Sequence, residues 1–137
     1  MNQPRQGGCQ CGTIRYEVVG DPLMVVVCHC SDCQRQSGSA FGMSFIVARE
    51  SFRLLHGKVK TFTRKADSGR AATSTFCPEC GTQIYQEPDF LKDMVSVKPG
   101  TLDDTSFLRP TLQTWVGRKH AWVSLPADIP TFERQPV

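Results

Sequence analysis

Seven cysteines stand in three clusters along this chain, at spacings that suit metal ligation. The clusters are Cys9-Gln10-Cys11-Gly12, then Cys28-His29-Cys30-Ser31-Asp32-Cys33, then Cys77-Pro78-Glu79-Cys80-Gly81. The third has the form of a zinc knuckle. Two thiolates with two residues between them reach one tetrahedral ion at about 2.3 Å each, and the following glycine relieves the tight turn. A single C-x-x-C is also compatible with a redox pair. That reading needs a βαβ setting, and no such pattern is visible here.

Three thiolates within the six residues of the middle cluster can share one ion, because a C-x-C strand end runs directly into a C-x-x-C turn. Cys9, Cys11, Cys77 and Cys80 are then left, four thiolates being what a closed structural site needs. Such a site pins distant parts of the chain together, so it contributes strongly to folding. Cys28, Cys30 and Cys33 leave a fourth position open to water, substrate or a nearby side chain, the mark of a catalytic zinc. Three thiolates on a dication carry a net negative charge. That makes a poor Lewis acid for water and a good trap for a soft thiol held as thiolate. The expected cofactor is Zn²⁺, two per chain. Alternatives stay open: His29 completing a Cys₃His structural centre, His29 standing beside the site as a proton-handling residue, or one site holding no metal. Against His29 as a ligand, Cys28 and Cys30 point to one side of an extended chain while His29 points to the other.

The elements that must position these thiols are short. At 137 residues with 39% hydrophobic content, 1–137 fits a single domain with a modest core, and eleven glycines and nine prolines imply many turns. Thr13 to Val18 alternates apolar and polar side chains as a half-buried strand does, and Leu23 to Val27 reads as a buried strand. Ser31-Asp32 is placed to cap a short helical turn through Ser37, ended by Gly38. Further strands are expected over 42–48, 52–55, 59–63, 70–76, 82–86, 94–97, 112–116 and 121–125. Strands this short, with turns every eight to twelve residues, imply an all-β domain. The proline-containing tail from Pro126 is expected to pack as an extended strap or to fray.

Charge and hydropathy narrow the partners. The formal charge of +3 falls to about zero once seven thiolates and two Zn²⁺ are counted, and no basic block is present, so no nucleic-acid partner is expected. The longest apolar run, 23–28, has six residues, far short of a membrane span. The polar start and the odd cysteine count suggest a cytoplasmic protein with reduced thiols.

The chain resembles the glutathione-dependent formaldehyde-activating enzyme family. The matching stretches are Gly8-Cys9-Gln10-Cys11-Gly12 with Arg15-Tyr16-Glu17, the middle cluster through Gly38, Phe76 to Thr82 with Ile84-Tyr85, Gly100 to Asp104, and Trp122. They span roughly residues 7 to 133. The resemblance implies a β-tent of small antiparallel sheets organised around two zinc sites. It implies Cys9, Cys11, Cys77 and Cys80 as structural zinc ligands and Cys28, Cys30 and Cys33 as catalytic ones. The implied reaction adds the glutathione thiol to formaldehyde, a carbon–sulfur lyase run in reverse, with a small thiol and an aldehyde as partners. His29 is the candidate proton relay, and Ser31, Gln34, Arg35, Ser37 and Ser39 lie close enough in sequence to orient a substrate. Two departures stand out: the founding enzyme type is longer, and Gln113 replaces a histidine found in many members.

Other residues have plainer readings. His56 and His120 are expected at the surface or in packing, Trp115 and Trp122 in the core or a pocket wall, and Phe41, Phe45, Phe52, Phe62 and Phe76 on buried strand faces. Asp103-Asp104 reads as a turn. Arg118, Lys119 and His120 form a basic stretch, either a solvated loop or a receiver for an anionic substrate. The leading expectation is a zinc enzyme of carbon–sulfur bond formation or cleavage. Its rival is a non-catalytic zinc scaffold binding a protein or small ligand, which a fourth protein ligand at the middle site would favour.

Overall fold

A computed structural model describes residues 3–65 and 69–134. It is mostly β, and it divides into two compact units. One is built from the described residues of Met1–Leu23 with Phe45–Leu108, the other from Met24–Ser44 with those of Arg109–Val137.

In the first unit β1 (Arg5–Gly8), β2 (Arg15–Val18) and β5 (Phe52–His56) form an antiparallel sheet in the order β1-β2-β5. The β1 segment carries no apolar pattern, which is why periodicity did not announce it. Its Gly7 is buried because Tyr16 lies over it: a Cβ there would stand 2.5 Å from the Tyr16 hydroxyl. The second sheet of this unit runs from the Phe45–Ala48 half of β4 (Gly42–Ala48) through β9 (Met94–Val97), β8 (Gln83–Pro88) and β7 (Ala71–Phe76) to β6 (Lys60–Lys65), all antiparallel. Ile14, Tyr16, Val18, Phe45, Val47, Ile84, Val95 and Val97 are fully buried. Phe52 bridges the sheets, its ring 5.3 Å from Tyr16 and 4.6 Å from Tyr85.

Phe62, expected in the core, is 62% exposed. It lies on β6, the outermost strand of this sheet, whose six residues are all exposed and which among the described residues pairs with β7 alone. Lys60, Arg64 and Lys65 on that strand are charges of the kind that discourage edge-to-edge association.

The second unit holds β3 (Met24–Cys28), α1 (Ser31–Ser37), the start of β4, and β10 (Leu112–Thr114). β10 lies parallel to β3, pairing Leu112 with Val26, Gln113 with Val27 and Thr114 with Cys28. This departs from the purely antiparallel expectation, and the long excursion between the two strands is what permits it. The strap does pack: Gln113 N–H donates to the Pro130 carbonyl (2.9 Å) and Phe132 N–H to that of Gln113 (3.0 Å). Residues 121–125 form a turn where a strand was expected, because Val123 alone of Ala121, Trp122 and Val123 is buried. Trp122, expected in the core or a pocket wall, is 75% exposed and so is not a core residue.

Candidate metal centres

The sulfurs of Cys9, Cys11, Cys77 and Cys80 converge in the first unit, all within 4.8 Å of one another. Two turns built alike bring them together. Cys9 N–H donates to the Ile14 carbonyl (3.2 Å) and Gly12 N–H to that of Cys9 (3.1 Å). Across the site Cys77 N–H donates to the Thr82 carbonyl (3.0 Å) and Gly81 N–H to that of Cys77 (2.8 Å). Gly12 and Gly81 take φ of 85° and 79°, left-handed values that glycine adopts without a Cβ clash. Both turns thus end in a Cys-Gly-Thr tripeptide.

Each threonine of those tripeptides turns its hydroxyl onto sulfur. Thr13 Oγ1 lies 3.1 Å from Cys11 Sγ, 3.5 Å from Cys77 Sγ and 3.7 Å from Cys9 Sγ, and Thr82 Oγ1 lies 3.2 Å from Cys80 Sγ. Backbone N–H groups of Ile14 (3.2 Å) and Glu79 (3.4 Å) donate to Cys9 and Cys77. Burial works to raise the Cys9 thiol, but these donors outweigh it and bring it down to about 7. The Thr82 hydroxyl and N–H bring Cys80 down to about 5. Cys11, beside Cys9 and Cys80, is raised in turn, so the donors favour negative sulfur at Cys9 and Cys80. Sulfurs 3.5 Å (Cys9–Cys11) and 3.7 Å (Cys11–Cys77) apart suit a tetrahedral ion with ligands at about 2.3 Å, which sets them about 3.8 Å from one another.

The Cys28, Cys30 and Cys33 sulfurs form the second group, again within 4.8 Å of one another, in the second unit. Cys28 ends β3. Cys30, not Ser31 or Asp32, caps α1: its Sγ accepts from the Cys33 N–H at 3.3 Å, which leaves the sulfur pointing along the helix start beside Cys33. Gly38, in the left-handed conformation, ends the helix as expected. Gly42 passes under it so closely that a Cβ there would lie 3.1 Å from the Cys33 Cβ. Without a cation, hydrogen bonds from Cys30 and Cys33, with one from the Thr114 hydroxyl, hold Cys28 down to about 3. Cys28 in turn raises Cys30 and Cys33. Such a cluster releases protons when a dication enters.

His29 does not join this group of three. Strand alternation puts it on the face opposite Cys28, where it is fully buried and edge-on to Phe41 at 5.7 Å. Its Nε2 is 2.9 Å from Gln113 Oε1, and its Nδ1 has no hydrogen-bond partner. The face alternates in step across the parallel pair: Thr114 meets Cys28 on one side, Gln113 meets His29 on the other.

Gln34 is the one proposed orienting residue with a visible role beside the thiols: its Nε2 donates to the His29 carbonyl (2.8 Å) and its Oε1 accepts from His120 Nε2 (2.9 Å). Ser37 caps locally, its hydroxyl bonded to the Gln34 and Phe41 carbonyls, and Ser31, Arg35 and Ser39 are exposed. Asp103 pairs with Arg15, and Asp104 accepts from the Ser106 N–H and hydroxyl, as turn residues do. Thr13, Thr82 and Thr114 escaped sequence reasoning. For the first two the repeated Cys-Gly-Thr was a usable signal; Thr114 is found only through its register with Cys28.

The fold and these clusters define a mostly β protein with two cysteine groups, each able to hold a metal ion. The model of the glutathione-dependent formaldehyde-activating enzyme family matches residues 4–118. The chain belongs to that family. A crystal structure of a Rhodobacter sphaeroides protein shares its fold, with a TM-score of 0.59 at 18% identity, over 92% of this chain and 98% of that one. Among the described residues no helix is long and apolar enough to cross a membrane.

Proposed function

We propose that this chain is a zinc-dependent enzyme that forms and cleaves a carbon–sulfur bond between a small thiol, glutathione or one like it, and an aldehyde such as formaldehyde. One observation carries the reading: the two thiol groups are unequal. Cys9, Cys11, Cys77 and Cys80 offer a complete tetrahedral set for a structural zinc, while Cys28, Cys30 and Cys33 offer three donors, with no fourth His, Cys, Asp or Glu atom joining them among the described residues. Soft thiolate sets favour zinc. Family membership supplies the thiol and aldehyde theme.

A zinc ion held there supplies a site where a coordinated thiol is a thiolate at neutral pH. The chain's own residues do the rest. Thr114 and the Cys33 N–H orient the sulfurs of Cys28 and Cys30, the residues that would hold the ion to which a substrate sulfur would bind. That sulfur attacks the aldehyde carbon, a C–S bond forms, and the carbonyl electron pair moves to oxygen, which takes up the proton the thiol released. His29, buried on the far face, acts in this reading as a positioning residue that anchors the ligand segment to β10. Seven reduced thiols suit the cytosol.

The test is metal content and substrate turnover together. The wild-type chain is expected to hold two zinc ions and to consume formaldehyde only with thiol present, followed by NMR. Cys30→Ser is expected to hold one, stay folded and lose turnover. Two zincs retained in Cys30→Ser would sink the assignment.

A further inference from the structure

We infer that the loop 118–122 is a second binding subsite, which receives the carboxylate-bearing tail of the thiol substrate; the inference rests on the function proposed above. Trp122 is the starting observation. An indole left 75% exposed forgoes much of the burial that usually places tryptophan inside a protein. It is not loose: its ring is stacked on His120, centroids 6.1 Å apart and planes 19° off parallel.

His120 is itself fixed. Its Nε2 donates to Gln34 Oε1 at 2.9 Å, and Gln34 Nε2 donates to the carbonyl of His29, the residue between Cys28 and Cys30. An unbroken row of side chains therefore leads from the backbone of the ligand segment to an exposed aromatic face, all within the second unit. Trp115, held at φ 56° immediately after β10, turns the chain into this loop.

Charge identifies the occupant. Arg118 is exposed and Lys119 half-buried, and neither makes an ion pair among the described residues. The Glu133 carboxylate lies against Gly117, one residue away, and pairs with neither. Two free cations beside a flat aromatic face suit a ligand with planar amides and a terminal carboxylate. A peptidic thiol whose sulfur sits at the three-cysteine group carries both within a few bonds of its sulfur. A neutral thiol without a tail carries neither.

The experiment uses the full chain with cobalt(II) in both sites, following the thiolate-to-cobalt absorption as glutathione or 2-mercaptoethanol is added. Wild type is expected to prefer glutathione by about 10-fold or more, a difference near 1.4 kcal/mol. Trp122→Ala and the double substitution Arg118→Ala/Lys119→Ala are each expected to reduce that ratio to about 1–3. Metal content of two per chain verifies that each variant is folded. If both thiols perturb the cobalt spectrum and the variants keep the wild-type ratio, the subsite is overturned while the thiol chemistry stands. If neither thiol perturbs wild-type cobalt, the proposed function fails and the subsite falls with it.

Discussion

His29 is joined to Gln113 by a 2.9 Å hydrogen bond on the face of the chain opposite the Cys28 thiol, and both side chains are buried. The bond fixes which ring nitrogen carries the hydrogen, because Gln113 presents its carbonyl oxygen to Nε2. It also ties the segment between two candidate ligands to β10. Gln113→Leu keeps the bulk and removes the partner, leaving a buried imidazole with neither nitrogen satisfied. The expected loss is about 1–3 kcal/mol of stability in denaturant unfolding. Gln113→Glu restores an acceptor and is expected to recover part of it. Equal losses in the two variants would show that the hydrogen bond is not what matters.

Thr13 and Thr82 should govern how tightly the four-cysteine group holds its ion. Four thiolates on a dication leave excess negative charge, and hydroxyl donors at 3.1–3.2 Å from Cys11 and Cys80 offset it. Outer-shell donors of this kind are typically worth about 10- to 100-fold in metal affinity. Thr13→Val, which touches three of the four sulfurs, is expected to lose more than Thr82→Val, read by competition with a chromophoric chelator. The ranking follows from geometry, so an inverted order counts against it.

Much of this was legible in the sequence, and the reasons for the rest are physical. The cysteine grouping could be read because ligand spacing is a local property and four-plus-three is the division that leaves one set closed. Strand positions such as 42–48 and 94–97 could be read because they are short, largely apolar runs buried at consecutive residues. β1 could not, since Gly7 under Tyr16 and Gly8 against Arg15 leave no hydrophobic period. Trp122 misled because residue type predicts burial only on average, and among the described residues no strand pairs with 121–125. The partnership of Thr114 with Cys28 depends on a register between strands more than eighty residues apart, which no local pattern encodes.

Gly42 is expected to report on the three-cysteine group without touching a sulfur. An added Cβ would stand 3.1 Å from the Cys33 Cβ, so α1 must give by a few tenths of an ångström. Overpacking of this size costs about 1–3 kcal/mol. Because Cys33 is the nearest neighbour, Gly42→Ala should weaken the second ion and leave the first at wild-type affinity, measured as two separate steps in chelator titration. Gly38→Ala, with open space around it but a left-handed backbone, serves as the comparison: it should cost stability through strain at φ 64° without that selectivity.

Alkaline pH gives an independent reading of the first unit's core. Tyr16 is fully buried, its hydroxyl bonded to Thr101 Oγ1 at 2.6 Å, and burial pushes the phenol from 10.0 up to about 12. Thr101 donates its own hydrogen to the Lys98 carbonyl, so Tyr16 is the donor of that bond, and a phenolate would lose it. The sign follows from proton counting. Between pH 10 and 12 the unfolded chain has released the Tyr16 proton and the folded chain keeps it, so stability falls as pH rises. The stabilisation is complete below pH 10 and is lost through 12; two units correspond to about 2–3 kcal/mol. Thiols titrate nearby, so the informative quantity is the difference between wild type and Tyr16→Phe on metal-loaded protein. Below pH 10 wild type should be the more stable by about 1 kcal/mol, the usual worth of the hydrogen bond. That margin should shrink and reverse by pH 12. A margin that stays constant across the window would mean the phenol titrates in the folded protein as it does in water, and that its burial is not what raises it.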